Sequence, residues 1–300
     1  MRWESDGRDW PNREASRFVA AGPHLWHVQR LGEGPPLVLL HGAGGSTHSW
    51  RDVAPTLAEH YDVIAVDLPG QGFTRLGSRS RCGLEAMAED LRALLLELDV
   101  RPAALVGHSA GAAIALRMAL DLEKTPRAFV ALNGAFEPFN GVAGFMFPMT
   151  ARLLAMNPFA GFALSRMAAN AASVRGLIAA TGSRLDDAGV ALYGRLLADP
   201  SHLDATIAMM ARWSLEPTLR AAEGLRAPAL LLTGAQDLVV PPAASRRLAE
   251  RLEAARHVSA PGFGHLHHEE APEEVAAQIH AHVSAHLEAP PKRRRRAAGA

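Results

Sequence analysis

Short, fully apolar runs recur along the chain, each closing on a turn rich in glycine, proline or aspartate. Leu37-Val38-Leu39-Leu40 ends at His41-Gly42, residues 63–66 end at Asp67-Leu68-Pro69-Gly70, and residues 104–107 end on a glycine. Apolar runs without alternation mark strands buried on both faces. Residues 128–132, 229–233 and 257–260 continue the series, and residues 18–20 and 25–30 predict an opening strand pair. Between the runs, residues 84–98 bring Leu84, Met87, Ala88, Leu91, Leu94, Leu95 and Leu98 to one helical face. Further helices are predicted from Ala110, over about 243–253 and over about 273–287. Strands alternating with helices predict an α/β protein, a mostly parallel sheet flanked by helices on both sides.

The alternation lapses between Gly134 and Arg226. That stretch is alanine-rich and helical in composition, punctuated by Pro148, Pro158, Gly182 and Pro217. It reads as a helical cap (134–226) inserted into a core made of 1–133 and 227–289. The tail from Pro290 carries Lys292-Arg293-Arg294-Arg295-Arg296 and reads as a disordered, solvated segment (290–300). Weak contact of this tail with an anionic membrane is the second reading.

Gly107-His108-Ser109-Ala110-Gly111 fits G-x-S-x-G and falls between a predicted strand and a predicted helix. That context makes Ser109 a candidate nucleophile, raised above the sheet on a strained turn that only flanking glycines can close. A hydroxyl needs a base to take its proton, and the base needs an orienting acid. His265, in the glycine-rich loop Pro261-Gly262-Phe263-Gly264-His265 after the last predicted strand, is the candidate base. Asp237, one short loop past the strand at 229–233, is the candidate acid. The order Ser109, Asp237, His265 is that of hydrolases built on such a sheet. His41-Gly42-Ala43-Gly44-Gly45 closes the strand at 37–40 and offers backbone amides to an oxyanion; Ala43 and Ala110 are the candidate donors. His41 is read as a hydrogen-bonding residue of that turn and Asp67 as structural. His267 and His268 are read as exposed polar residues at a helix start, because adjacent loop side chains rarely converge on one metal. Neither a metal nor a cofactor is expected.

Composition narrows the function classes. Lys+Arg and Asp+Glu are both 31, but five of the positive charges lie in the tail, so the body is net acidic and nucleic acid is not expected as a partner. The single cysteine, Cys82, allows no internal disulfide. The charged start lacks the apolar core of a secretory leader, and no run approaches the ~20 apolar residues of a membrane span. A cytoplasmic protein is expected. With two lysines, neither after a glycine, there is no phosphate-binding P-loop.

These motifs resemble those of the α/β-hydrolase superfamily, which spans esterases, lipases, C–C bond hydrolases and haloperoxidases; that breadth leaves the reaction open. A narrower resemblance runs from Met1 to about Leu287. Asp9-Trp10-Pro11-Asn12-Arg13, Leu25-Trp26-His27-Val28, Thr47-His48-Ser49-Trp50 and Phe73-Thr74-Arg75 carry it, as do Leu132-Asn133-Gly134-Ala135, Thr181-Gly182-Ser183 and Met209-Met210-Ala211-Arg212-Trp213 within the cap. The sequence is similar in these to the BchO family, magnesium-chelatase accessory proteins of bacteriochlorophyll biosynthesis. Gln71 departs from the histidine usual in the wider superfamily. The resemblance implies a role where magnesium enters protoporphyrin IX, beside the ATP-driven chelatase subunits and near the photosynthetic membrane. Three readings follow: a serine hydrolase acting on an apolar ester-type substrate; a non-catalytic carrier of protoporphyrin IX or its magnesium form; and a generic carboxylesterase or C–C bond hydrolase. For the carrier, Phe145, Met146, Phe147, Met149, Met156, Phe159, Phe162 and Met167 form the candidate pocket lining, with packing inside the cap as the plainer alternative.

Overall fold

In the computed structural model, residues 1–137, 154, 156–157, 159–167 and 170–287 are described. Among them, eight strands form one sheet: β1 Ser16–Ala21, β2 His24–Leu31, β3 Pro36–Leu40, β4 Asp62–Val66, β5 Ala104–His108, β6 Ala128–Leu132, β7 Ala229–Gly234 and β8 Ala255–Ala260, in the order β1-β2-β4-β3-β5-β6-β7-β8. β1 and β2 pair antiparallel, β2 runs antiparallel to β4, and the remaining pairs are parallel. Every strand expected from the apolar runs is present.

Period-two alternation divides each central strand between two cores. Val38, Leu40, Ile64, Val66, Leu105, Phe129 and Leu231 face one layer, which α2 (Leu84–Glu97), α3 (Ala110–Asp121) and α9 (Pro242–Arg251) close. Leu37, Leu39, Val63, Ala65, Val106, Val130 and Leu230 face the other, against α1 (Val53–Ala58) and α11 (Pro272–Leu287). The expected face of the 84–98 helix, from Leu84 to Leu95, is buried as the spacing implies. α1 has no counterpart in the sequence reading, because six residues are too few for periodicity to register.

Strand order reverses at β3, which has β4 on one side and β5 on the other. Loops leaving two such strands diverge to opposite faces and leave a crevice at their carboxyl ends. The His41 turn and Ser109 both emerge there.

Between β6 and β7 the chain forms α4 (Ala160–Met167), α5 (Ala171–Ala179), α6 (Asp187–Leu197), α7 (Pro200–Ala211) and α8 (Glu216–Ala221). Asn170, Asp186 and Asp199 cap three of these, each side chain accepting a backbone N–H from the first turn. Met156, Phe159 and Phe162 are exposed, so neither a pocket lining nor internal packing describes them. A single amphipathic stripe cannot tell an inward face from an outward one. Phe145, Met146, Phe147 and Met149 lie outside the described residues, as do the side chain of Met167 and the basic tail. Among the described residues, no helix is long and apolar enough to cross a membrane.

Candidate active site

Ser109 sits at φ 51°, ψ −118°, a region that non-glycine residues avoid, and directly precedes α3. The flanking glycines show why the turn can close. A Cβ on Gly107 would lie 2.4 Å from the Gly111 carbonyl oxygen, and one on Gly111 would lie 2.3 Å from that of Leu40. The serine N–H is tied to Leu132 O on β6 at 2.9 Å, which fixes the elbow to the sheet.

Asp237 and His265 arrive from separate loops, after β7 and β8. The imidazole Nδ1–H donates to Asp237 Oδ2 at 2.8 Å, leaving Nε2 for proton transfer. The same Oδ2 accepts from Asn133 Nδ2 at 2.7 Å, while Oδ1 accepts the backbone N–H groups of Val239 and Val240 at 2.8 and 2.9 Å. Four donors thus hold one carboxylate in a single orientation. His108 joins the elbow to the histidine loop, its Nε2 donating to His265 O at 2.9 Å with the two rings 4.8 Å apart.

The His41 turn lies against the serine, since a Cβ on Gly42 would come within 3.1 Å of Ser109 Cβ. His41 is the turn residue it was expected to be: Nδ1 donates to Gly42 O and Nε2 accepts Leu68 N. Within the turn, Gly44 N donates to Gln71 Oε1 and Gly45 N to Gly42 O. Ala43 N has no hydrogen-bond partner among the described residues, and Ala110 N belongs to the first turn of α3, where no intrahelical acceptor exists. Gln71, the departure from the wider superfamily, reaches further: its Nε2 donates to Met209 Sδ on α7.

α7 also grips this turn through His202, whose Nε2 donates to Gly44 O while Nδ1 accepts Gly72 N. Burial lowers the His202 pKa to about 4, against the pull of the Gly44 carbonyl that its N–H bonds. Asp67 is a buried hub, accepting from His27 Nδ1, Thr47 N and Phe73 N. Burial alone would raise its pKa, but His27 and the backbone donors bring it down to about 2. Cys82 is buried, and burial pushes its thiol up to about 11, a packing residue without thiolate reactivity.

His267 and His268 are buried, which corrects their reading as exposed helix-start residues. The short helix α10 (His267–Glu270) turns inward beneath the site, so His268 Nε2 meets Ser49 Oγ at 2.7 Å and its ring lies 4.4 Å from that of His108. Next to it, Glu269 accepts from Arg51 Nη1 and from the Tyr193 hydroxyl of α6. Burial raises Glu269 to about 7 against the pull of Arg51. Asn133, His202 and Glu269 were not assigned a role from sequence; each acts across a distance of many residues, which local motifs do not record. Among the described residues no three His, Cys, Asp or Glu side chains form a group that could hold a metal.

A sequence model of the α/β hydrolase fold matches residues 35–272. The chain belongs to that family. Within it, the chain is 43% identical over 273 residues to the magnesium-chelatase 30 kDa subunit of Rhodobacter capsulatus, covering 90% of this chain and 95% of that one, and it shares that family too. It is also 29% identical over 267 residues to the 2-hydroxy-6-oxo-2,4-heptadienoate hydrolase of Pseudomonas putida, covering 86% and 91% of the two chains. Among solved structures, the epoxide hydrolase CorEH superposes with a TM-score of 0.75 at 23% identity, covering 90% of this chain and 98% of that one. This last likeness speaks for the fold alone. Both family assignments agree with the resemblance seen in the sequence.

Proposed function

We propose that this α/β-hydrolase acts as a magnesium-chelatase accessory protein at magnesium insertion into protoporphyrin IX, and that it does so as a serine hydrolase on an apolar ester-type substrate. The observations that carry the catalytic half are the 2.8 Å Asp237–His265 hydrogen bond and a serine held at positive φ, whose neighbour His108 is bonded to the His265 carbonyl. In this reading His265 Nε2 takes the Ser109 hydroxyl proton as Oγ attacks the substrate carbonyl. The resulting oxyanion is held by the N–H groups of Ala43 and Ala110, and the imidazolium returns the proton to the leaving alkoxide. Water then repeats the cycle on the acyl-serine. The helices between β6 and β7 act as a cap over the site. The pathway half rests on the 43% identity to a chelatase subunit; chelatase subunits as partners and a cytoplasmic place of action, peripheral to the photosynthetic membrane, belong to the same proposal.

A fluorophosphonate probe tests the chemistry: it labels the wild type at Ser109 and leaves Ser109→Ala unlabelled. An unlabelled wild type would defeat the hydrolase reading. Pigment analysis of a strain carrying only Ser109→Ala tests the link to the pathway, with loss of magnesium-porphyrin expected.

The second reading, a tetrapyrrole carrier that keeps the hydrolase scaffold, draws on the same chelatase relative. It predicts saturable binding of protoporphyrin IX by wild type and Ser109→Ala alike, together with normal pigment in the mutant strain.

A further inference from the structure

Asp237 and His265 belong to loops that follow different strands, and one turn of the inserted helices touches both. Thr181, in the turn between α5 and α6, offers a single carbonyl oxygen to Leu238 N and to His265 N, each at 3.2 Å. Gly182 is wedged between the loops at backbone contact. It has φ +83°, a Cβ there would lie 2.0 Å from Gln236 O, and a Cβ on Gly264 would lie 2.3 Å from the Gly182 carbonyl carbon. Ser183, fully buried, completes the contact. Its Oγ donates to Glu270 Oε2 at 2.9 Å and accepts Leu266 N at 2.8 Å. Glu270 in turn accepts Gly264 N through Oε2 and Arg184 N through Oε1, both at 2.9 Å.

We infer that Thr181-Gly182-Ser183, with Glu270, is a clip by which the inserted helices set the distance between the Asp237 carboxylate and the His265 imidazole. Ser183 and Glu270 are positioning residues of the site. This inference rests on the reading of Asp237 and His265 as acid and base. The physical reason is the spacing of the bonds. The residue after Asp237, His265 itself and the residue after His265 each have a backbone N–H tied to this one turn. The two loops also bond each other directly, Gln236 N to Phe263 O at 2.9 Å, but that contact lies one and two residues short of the catalytic side chains. Hydrogen-bond geometry between acid and base tolerates little error, since a displacement of roughly 1 Å can cost about 10²-fold in rate.

The test uses the full-length chain with ¹⁵N-labelled histidine. The imidazole Nδ1–H of His265, held by Asp237, is assigned by its disappearance in Asp237→Asn. It is expected to be lost or exchange-broadened in Ser183→Ala, retained in Ser183→Thr, which restores the hydroxyl, and lost in Glu270→Ala, the second variant should Ser183→Ala fold poorly. An unchanged signal in a folded Ser183→Ala or Glu270→Ala overturns the clip. Fluorophosphonate kinetics add a readout that mere loosening would not move. Ser183→Ala is expected to lower the maximal labelling rate about tenfold or more with half-saturation unchanged, and to add nothing in an Asp237→Asn background. Losses that add in full overturn the inference. If the wild type is not labelled at all, the hydrolase reading falls while the imidazole signal still decides the clip.

Discussion

Asn133 donates its side-chain amide to Asp237 Oδ2, the same oxygen that receives the His265 imidazole, at 2.7 against 2.8 Å. It can do so because β6 ends beside β7 and because Asn133 takes a left-handed backbone at φ 47°, which turns its side chain toward the acid loop. Asparagine tolerates that conformation better than other non-glycine residues.

Replacing Asn133 separates these two contributions. Asn133→Gly removes the amide but suits the positive φ, so folding stability should stay within about 1 kcal/mol of wild type while Ser109 labelling slows. Asn133→Ala should slow labelling equally and also lose about 1–2 kcal/mol from backbone strain, read by urea denaturation. Equal stability of the two variants would refute the strain argument.

The elbow carries its own strain. A positive-φ serine costs on the order of 1–3 kcal/mol, against about 0.5–1 kcal/mol for the extra chain entropy of a glycine. Ser109→Gly is therefore expected to be inert toward fluorophosphonate yet more stable than wild type by about 1 kcal/mol, seen as a higher Tm. A lower Tm would mean that the serine side chain supports the fold.

Asp67 is predicted to matter for folding. Its carboxylate is fully buried and paired with His27 at 2.7 Å. Truncation in Asp67→Ala leaves His27 and the N–H groups of Thr47 and Phe73 without their acceptor. A loss of about 3–5 kcal/mol in denaturant titration is expected. Asp67→Asn, which retains an acceptor, should lose less.

Acid sensitivity follows from the buried histidines. Burial lowers the pKa of His24, His41, His48, His108, His202, His267 and His268 below the ordinary 6.5. As pH falls, the unfolded chain takes up protons near 6.5 while the folded chain resists, so the unfolded state binds more protons and stability drops. Stability should be flat with respect to these groups above about pH 7 and decline from there towards about pH 4, where His202 titrates in the folded state. Glu269 opposes the trend, because its raised pKa of about 7 favours the folded state as pH falls through that value, but it is one group against seven. Denaturation midpoints across this range check the sign; a midpoint that rises on acidification would contradict it.

Much of the site was legible in one dimension. G-x-S-x-G at a strand–helix junction identifies an elbow because only glycines clear the backbone contacts at Gly107 and Gly111, and that constraint is local. The strands were legible for a similar reason, since burial on both faces leaves an unbroken apolar run. Asp237 and His265 could be named from their place after strands. Their 2.8 Å contact could not, because it depends on β7 and β8 being neighbours.

The linear order of residues determined the layered α/β architecture, the elbow and the placing of the candidates Ser109, Asp237 and His265 after strands, because each follows from steric and hydrophobic rules acting within a few residues. Tertiary structure alone decided that Asn133 donates to the Asp237 carboxylate, that His267 and His268 face inward, and that Met156, Phe159 and Phe162 face out. It also decided that Thr181-Gly182-Ser183 bridges the loops that carry Asp237 and His265. Those outcomes rest on which segments become neighbours after folding, and a hydrogen bond between residues a hundred positions apart leaves no mark on the local pattern of either.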